Sequence, residues 1–216
     1  MPMYTAACFD LDGTLIDTEP VHLQAETSCL AALGMGVSSL RHVRTFGKGI
    51  EEGMRSLAET YDLDYEKVLG TYMPLWESGL RQDLRVLPGA INVLSWLTEH
   101  GVPTALVTSG DRAYVDLVDS VLGLADRFIA VVTSDDVTNL KPAPDPYLKA
   151  AEGLATSPDM CVGFEDSGSG VASLNGAEML SVAVHPDHDA RPELQLAGVR
   201  VSSLAGVPPL LPAWFE

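Results

Sequence analysis

Short apolar runs rich in valine and alanine recur along the chain at residues 4–9, 103–107, 128–132, 160–164 and 180–184. A half-exposed strand would place a polar residue at every second position. These runs are apolar almost throughout, the pattern of parallel strands buried on both faces. Between the second and third runs, Ala113, Leu117, Val118, Val121 and Leu122 recur at helical spacing, and Gly123 follows as a terminator. The unit reads strand, helix, strand. Similar helical patterns at 146–153 and 171–179 continue the alternation, so the predicted fold class is α/β, with a doubly wound parallel sheet.

That rhythm breaks between residues 18 and 85. Helical patterns at 22–33, 51–61 and 65–79 follow one another there with no convincing strand, and alternation resumes only after Pro88 and Gly89. The expected organisation is a discontinuous α/β core, residues 1–17 and 86–216, with a small α-helical domain, 18–85, inserted over the carboxyl end of the first strand. Tyr72, Trp76 and Trp96 sit on amphipathic patterns and are expected in cores or in packing between domains. The proline-rich tail at 208–212 reads as a surface finish.

At 216 residues and 46% hydrophobic composition, the chain can bury such a core and one modest extra module. Its charge narrows the functions. With 13 Lys and Arg against 30 Asp and Glu, the formal net charge of −17 disfavours nucleic acid and anionic membrane surfaces as partners. Phosphate chemistry on this chain must therefore use local positive charge. Cys8, Cys29 and Cys161 lack metal-site spacing and read as buried free thiols in a reducing compartment. The chain opens on a strand-like run, and no apolar stretch approaches membrane-spanning length, so a soluble cytoplasmic protein is expected.

Four segments carry candidate chemistry. Phe9-Asp10-Leu11-Asp12-Gly13-Thr14 ends the first apolar run, and ligands of open α/β sheets bind outside the carboxyl ends of strands. Two carboxylates so close repel unless a cation or a proton separates their roles. Glu165-Asp166 ends another run, and acids from two strand ends can converge on a hard, oxygen-loving cation such as Mg²⁺. One of Asp166 and Ser167 also suits the cap of the following helix. Thr108-Ser109-Gly110 offers a hydroxyl and backbone amides between a strand and a helix, where phosphate oxygens can sit. A helix cap by Ser109 explains that segment equally well. Lys141, followed by Pro142 and Pro144, which restrict the local backbone, is a fixed cation in place of a solvated loop lysine.

In this order and on alternating strands, the four segments resemble the haloacid dehalogenase superfamily over nearly the whole chain. Asp17-Thr18-Glu19-Pro20, the helical insertion and Lys141-Pro142-Ala143-Pro144-Asp145 are similar to its β-phosphoglucomutase and sugar-phosphate phosphatase branch. The resemblance implies that Asp10 attacks phosphorus and that Asp12 protonates the leaving oxygen and then activates water. It further implies Mg²⁺ held by Asp10, the main-chain carbonyl of Asp12, and Asp166, with Glu165 as a ligand or a partner of the ligands. Thr108, the Ser109 amide and Lys141 would hold the transferring phosphoryl oxygens. Two departures stand out: Leu140 and Glu178 occupy places where glycine is usual, which bears on loop shape more than on chemistry.

In the inserted domain Arg41, Arg44, Lys48 and Arg55, beside His42, form the densest basic cluster. Arg44 and Lys48 are candidate substrate contacts, against the alternative of a solvated helix face. His22 is a candidate for gating closure of the helical domain. The expected function is a phosphatase of a small phosphorylated metabolite, a sugar or polyol phosphate, acting as a monomer or weak dimer. Thr14 leans this way, because β-phosphoglucomutase has an apolar residue there. A phosphosugar mutase is the alternative, and a non-catalytic binding module is disfavoured by the completeness of the acid, hydroxyl and lysine set.

Overall fold

All five apolar runs form strands in the structure, a computed structural model that describes residues 3–35 and 50–216. Along the chain the strands are β1 Ala6–Phe9, β2 Ile16–Asp17, β3 Arg85–Val86, β4 Thr104–Val107, β5 Ala130–Val132, β6 Cys161–Glu165, β7 Leu180–Val184 and β8 Val199–Val201. The α-helices are α1 Glu19–Ala32, α2 Ile50–Tyr61, α3 Tyr65–Asp83, α4 Ala90–Glu99, α5 Arg112–Leu122, α6 Asp145–Gly153, α7 Gly168–Gly176 and α8 Leu211–Phe215. The chain divides into two compact units, one of Met1–Ile16 with Val86–Glu216 and one of Asp17–Arg85.

In the first unit six strands form one sheet in the order β5-β4-β1-β6-β7-β8, and every neighbouring pair is parallel. From β1 the chain steps outward to β4 and β5, then returns to β6 on the other side of β1. The strand order therefore reverses between β1 and β6, which is where a doubly wound sheet opens a crevice for ligands. The central strands β1, β4 and β6 are buried at every residue. Near-continuous apolarity is the sequence mark of such strands.

Side chains alternate across the sheet. Ala6 and Cys8 face a core shared with Ala105, Val107, Tyr147, Ala150, Cys161 and Leu174, the last two helical contributions coming from α6 and α7. Phe9 faces the other way, stacked on Phe164 at 4.6 Å, and Phe164 meets Trp214 of α8 at 6.3 Å. The proline-rich stretch 208–212 does lie largely at the surface, with Pro209 and Pro212 exposed, but the chain turns inward at Leu211 and beyond it. Leu211, Trp214 and Phe215 are buried, and the Tyr4 N–H donates to the Trp214 carbonyl at 2.9 Å. Proline-based reasoning missed the apolar residues that the prolines lead into. The edge strand β8 was also missed, because its Val-Arg-Val pattern leaves Arg200 exposed and gives no continuous apolar run.

The second unit is helical, with α1 and α2 each packed on α3. In α3 the buried residues Val68, Tyr72, Trp76 and Leu80 fall at every fourth position, a single stripe along the helix. Asp64 caps α3 by accepting the Lys67 N–H at 3.0 Å. Cys8, Cys29 and Cys161 are buried free thiols, as expected. Among the described residues, no helix is long and apolar enough to cross a membrane.

Candidate active site

Strand register brings the first of the candidate residues together. Phe9 lies opposite Leu106 on one side and Phe164 on the other. The next residue on each strand is Asp10, Val107 and Glu165, so all three stand at one level at the carboxyl end of the sheet. Strand parity puts Asp10 and Glu165 on the face of Cys8, toward Tyr147. The Asp10 N–H donates to the Phe164 carbonyl at 3.0 Å, which continues the β1–β6 ladder by one residue and fixes the carboxylate at the switch point.

Lys141 is not a solvated loop lysine. Its side chain is only 4% exposed, with Nζ 2.7 Å from Asp10 Oδ1, 2.6 Å from Glu165 Oε1 and 2.9 Å from the Val107 carbonyl. Burial works against the ammonium, but Asp10 and Glu165 outweigh it and raise the lysine pKa, so Lys141 stays charged. Glu165 is fully committed: Oε1 also accepts from the Tyr147 hydroxyl at 2.6 Å, and Oε2 accepts from Ser167 Oγ at 3.1 Å. Ser167 in turn caps α7 by accepting the Gly170 N–H at 3.0 Å. Capping thus belongs to Ser167 and does not employ Asp166.

Asp166 approaches the turn after β1. A Cβ placed on Gly13 would fall 2.3 Å from Asp166 Oδ2, and Gly13 has φ +79°, so glycine is required there for both space and backbone. The acids crowd one another. Oxygens of Asp10, Glu165 and Asp166 all lie within 4.8 Å of one another. Burial first, then the charge of Glu165, pushes Asp10 well above the ordinary carboxylate range, with Asp166 and Asp12 adding to the effect against Lys141. Burial and Glu165 also raise Asp166 to about 7, although Arg191 opposes the shift. One buried ammonium cannot neutralise these acids. A hard divalent cation with oxygen ligands fits this donor set, and would let Asp10 and Asp166 ionise together.

Thr108 is buried, and its Oγ1 accepts the Gly110 N–H at 3.0 Å, while Ser109 beside it is exposed. The cap of α5 is Asp111, which accepts the Tyr114 N–H at 2.7 Å, so Ser109 does not serve as the helix cap. Asp12 accepts a hydrogen bond from the Tyr114 hydroxyl at 2.5 Å. Thr14 is buried, and among the described residues its Oγ1 finds no hydrogen-bond partner. In the helical unit, His22 bonds the Tyr72 hydroxyl through Nδ1 and stacks on Trp76 at 3.8 Å; burial lowers its pKa to about 4. Arg44 and Lys48 lie outside the described residues.

Sequence reasoning passed over Tyr147, Tyr114 and Arg191. Arg191 donates from a guanidinium nitrogen to the Asp166 carbonyl at 3.5 Å and pairs with Glu193 at 2.9 Å. Tyr114 and Tyr147 lie in α5 and α6, the helices that follow the Thr108 and Lys141 segments, and Arg191 lies farther along the chain; none belongs to a local motif.

Three comparisons with known proteins bear on this arrangement. The family described as haloacid dehalogenase-like hydrolase matches residues 4–178. Fructose-1-phosphate phosphatase YqaB of Escherichia coli is 32% identical over 184 residues, which are 84% of this chain and 96% of that protein. Hexitol phosphatase B of Escherichia coli O157:H7 is 28% identical over 218 residues, 92% of each. A Thermotoga maritima protein provisionally named a β-phosphoglucomutase superimposes with a TM-score of 0.83 at 27% identity, covering 94% of this chain and 97% of that one.

Proposed function

The chain belongs to the haloacid dehalogenase-like hydrolases, and on that premise we propose that it is a magnesium-dependent phosphatase of a sugar or polyol phosphate that works through a phosphorylated Asp10. The observation that carries this reading is the Asp10 carboxylate at the switch point, bonded to a buried Lys141 and crowded by Glu165 and Asp166. The names of YqaB and hexitol phosphatase B support the substrate class.

In this reading Asp10, Asp166 and the main-chain carbonyl of Asp12 hold the metal. When bound, Mg²⁺ supplies the positive charge that lets an anionic nucleophile approach an anionic phosphoryl group. Glu165, whose oxygens take Lys141, Tyr147 and Ser167, holds the lysine in place. An oxygen of Asp10 bonds to phosphorus while the bond from phosphorus to the ester oxygen breaks, and Asp12 gives its proton to that departing oxygen. Water then attacks the same phosphorus and yields a proton to Asp12. The acyl phosphate bond breaks, phosphate departs and Asp10 is restored. Thr108, the Ser109 amide and Lys141 hold the phosphoryl oxygens through both steps. Arg44 and Lys48 are the candidate contacts for the rest of the substrate by their charge, and on that reading replacing both by alanine is expected to raise KM.

The deciding experiment is a phosphate-release screen over sugar phosphates, polyol phosphates and nucleotides, with and without Mg²⁺. The reading expects metal-dependent release, best from a sugar or polyol phosphate. Interconversion of sugar phosphates without phosphate release would establish the mutase reading that the Thermotoga structure favours. No turnover of any phosphate ester, with Asp10→Asn behaving as the wild type, would remove both.

A further inference from the structure

Tyr114 stands in the first turn of α5, and three contacts restrain it. Its N–H is held by the Asp111 cap at 2.7 Å, and its hydroxyl reaches Asp12 Oδ1 at 2.5 Å. Its ring lies against the backbone of Gly110, where a Cβ would come within 2.4 Å of ring carbon Cδ1. Gly110 therefore does more than extend a phosphate-binding turn. Its missing side chain is the space the phenol ring occupies, and a side chain there would force the ring to shift.

Asp12 needs such a tether. Its charge bears on both Asp10 and Asp166, and like charges at this range drive a mobile carboxylate away from its neighbours. We propose that Tyr114 is a positioning residue that holds the Asp12 carboxylate at the bearing from which it serves the leaving oxygen. A carboxylate pinned through Oδ1 loses its rotation about the terminal torsion, so Oδ2 keeps one direction. Proton transfer depends steeply on such alignment. The function assigned to Asp12 rests on the phosphatase reading; its placement by Tyr114 does not.

The test compares wild type with Tyr114→Phe, which keeps the ring and removes only the hydroxyl. Two substrates are used, an alkyl phosphate whose alkoxide must be protonated as it departs, and p-nitrophenyl phosphate, whose leaving group needs no proton. The quantity is kcat/KM, which reads only the steps through departure of the leaving group. Tyr114→Phe is expected to lower it on the alkyl ester by about tenfold more than on the aryl ester, a fraction of the roughly 10²–10⁴-fold that a positioned acid contributes. A merely structural role would lower both equally, and equal losses or no loss overturn the proposal. A crystal structure of Tyr114→Phe decides the placement by itself: Asp12 is expected to turn away from its wild-type position, and an unmoved carboxylate overturns the proposal. If the wild type hydrolyses neither ester, the phosphatase reading has failed, and the structural arm still judges the tether.

Discussion

Lys141 holds a charged head in a nearly dry site because three oxygens surround it, from Asp10, Glu165 and Val107. Removing it would leave two buried carboxylates facing each other, and losing one partner of a buried pair costs about 3–5 kcal/mol. Lys141→Met is thus expected to lower the thermal midpoint and to cut kcat by about 100-fold or more, as loss of a preorganised phosphoryl contact does. Melting curves and steady-state kinetics on the same preparation check both. The lysine was legible because the two prolines that follow it, Pro142 and Pro144, mark a fixed loop. Tyr147 and Tyr114 were not, since a hydroxyl bonded to a residue 18 or 102 positions away leaves no local pattern. Glu178 shows the opposite case. Where the resemblance expects glycine, the backbone takes the left-handed conformation anyway, with φ +62° on a glutamate. A side chain there costs about 1 kcal/mol, so Glu178→Gly is expected to raise the unfolding free energy by about that much in urea titrations.

The strands were readable because burial on both faces demands apolar residues at every position, as in β1, β4 and β6. What the runs could not give is their lateral order. That order, with its reversal between β1 and β6, is what turns separate acidic strand ends into one centre. The helical unit was legible as helices, but the partners of His22 were not, because Tyr72 and Trp76 belong to α3 while His22 belongs to α1. That packing makes a pH-dependent stability. The folded pKa of His22 lies near 4, below the ordinary 6.5, so the unfolded chain binds the proton more readily. Its contribution is present in full above pH 6.5 and is lost as pH falls toward 4, by up to about 1.4 kcal/mol per pH unit. Urea midpoints of wild type should drop more steeply than those of His22→Gln over that window; parallel slopes would show that His22 is not the group responsible.

With a net charge of −17, the molecule carries its excess acid into its own centre, where Asp10, Glu165 and Asp166 lie together. The same charge that disfavours polyanionic partners makes a divalent cation favourable at this one place. Mg²⁺ is therefore expected to raise the thermal midpoint of the wild type and to leave an Asp10→Asn, Asp166→Asn double variant unmoved, as measured by scanning calorimetry with chelator as the reference. The most direct test of the account is the site of the phosphoryl group itself. Enzyme with Mg²⁺, mixed with a turned-over sugar phosphate and quenched in acid within one turnover, is digested and its peptides are weighed. The phosphoryl group is expected on Asp10, and absent from Asp10→Asn. A phosphoryl group on another residue, or undiminished turnover by Asp10→Asn, would contradict it.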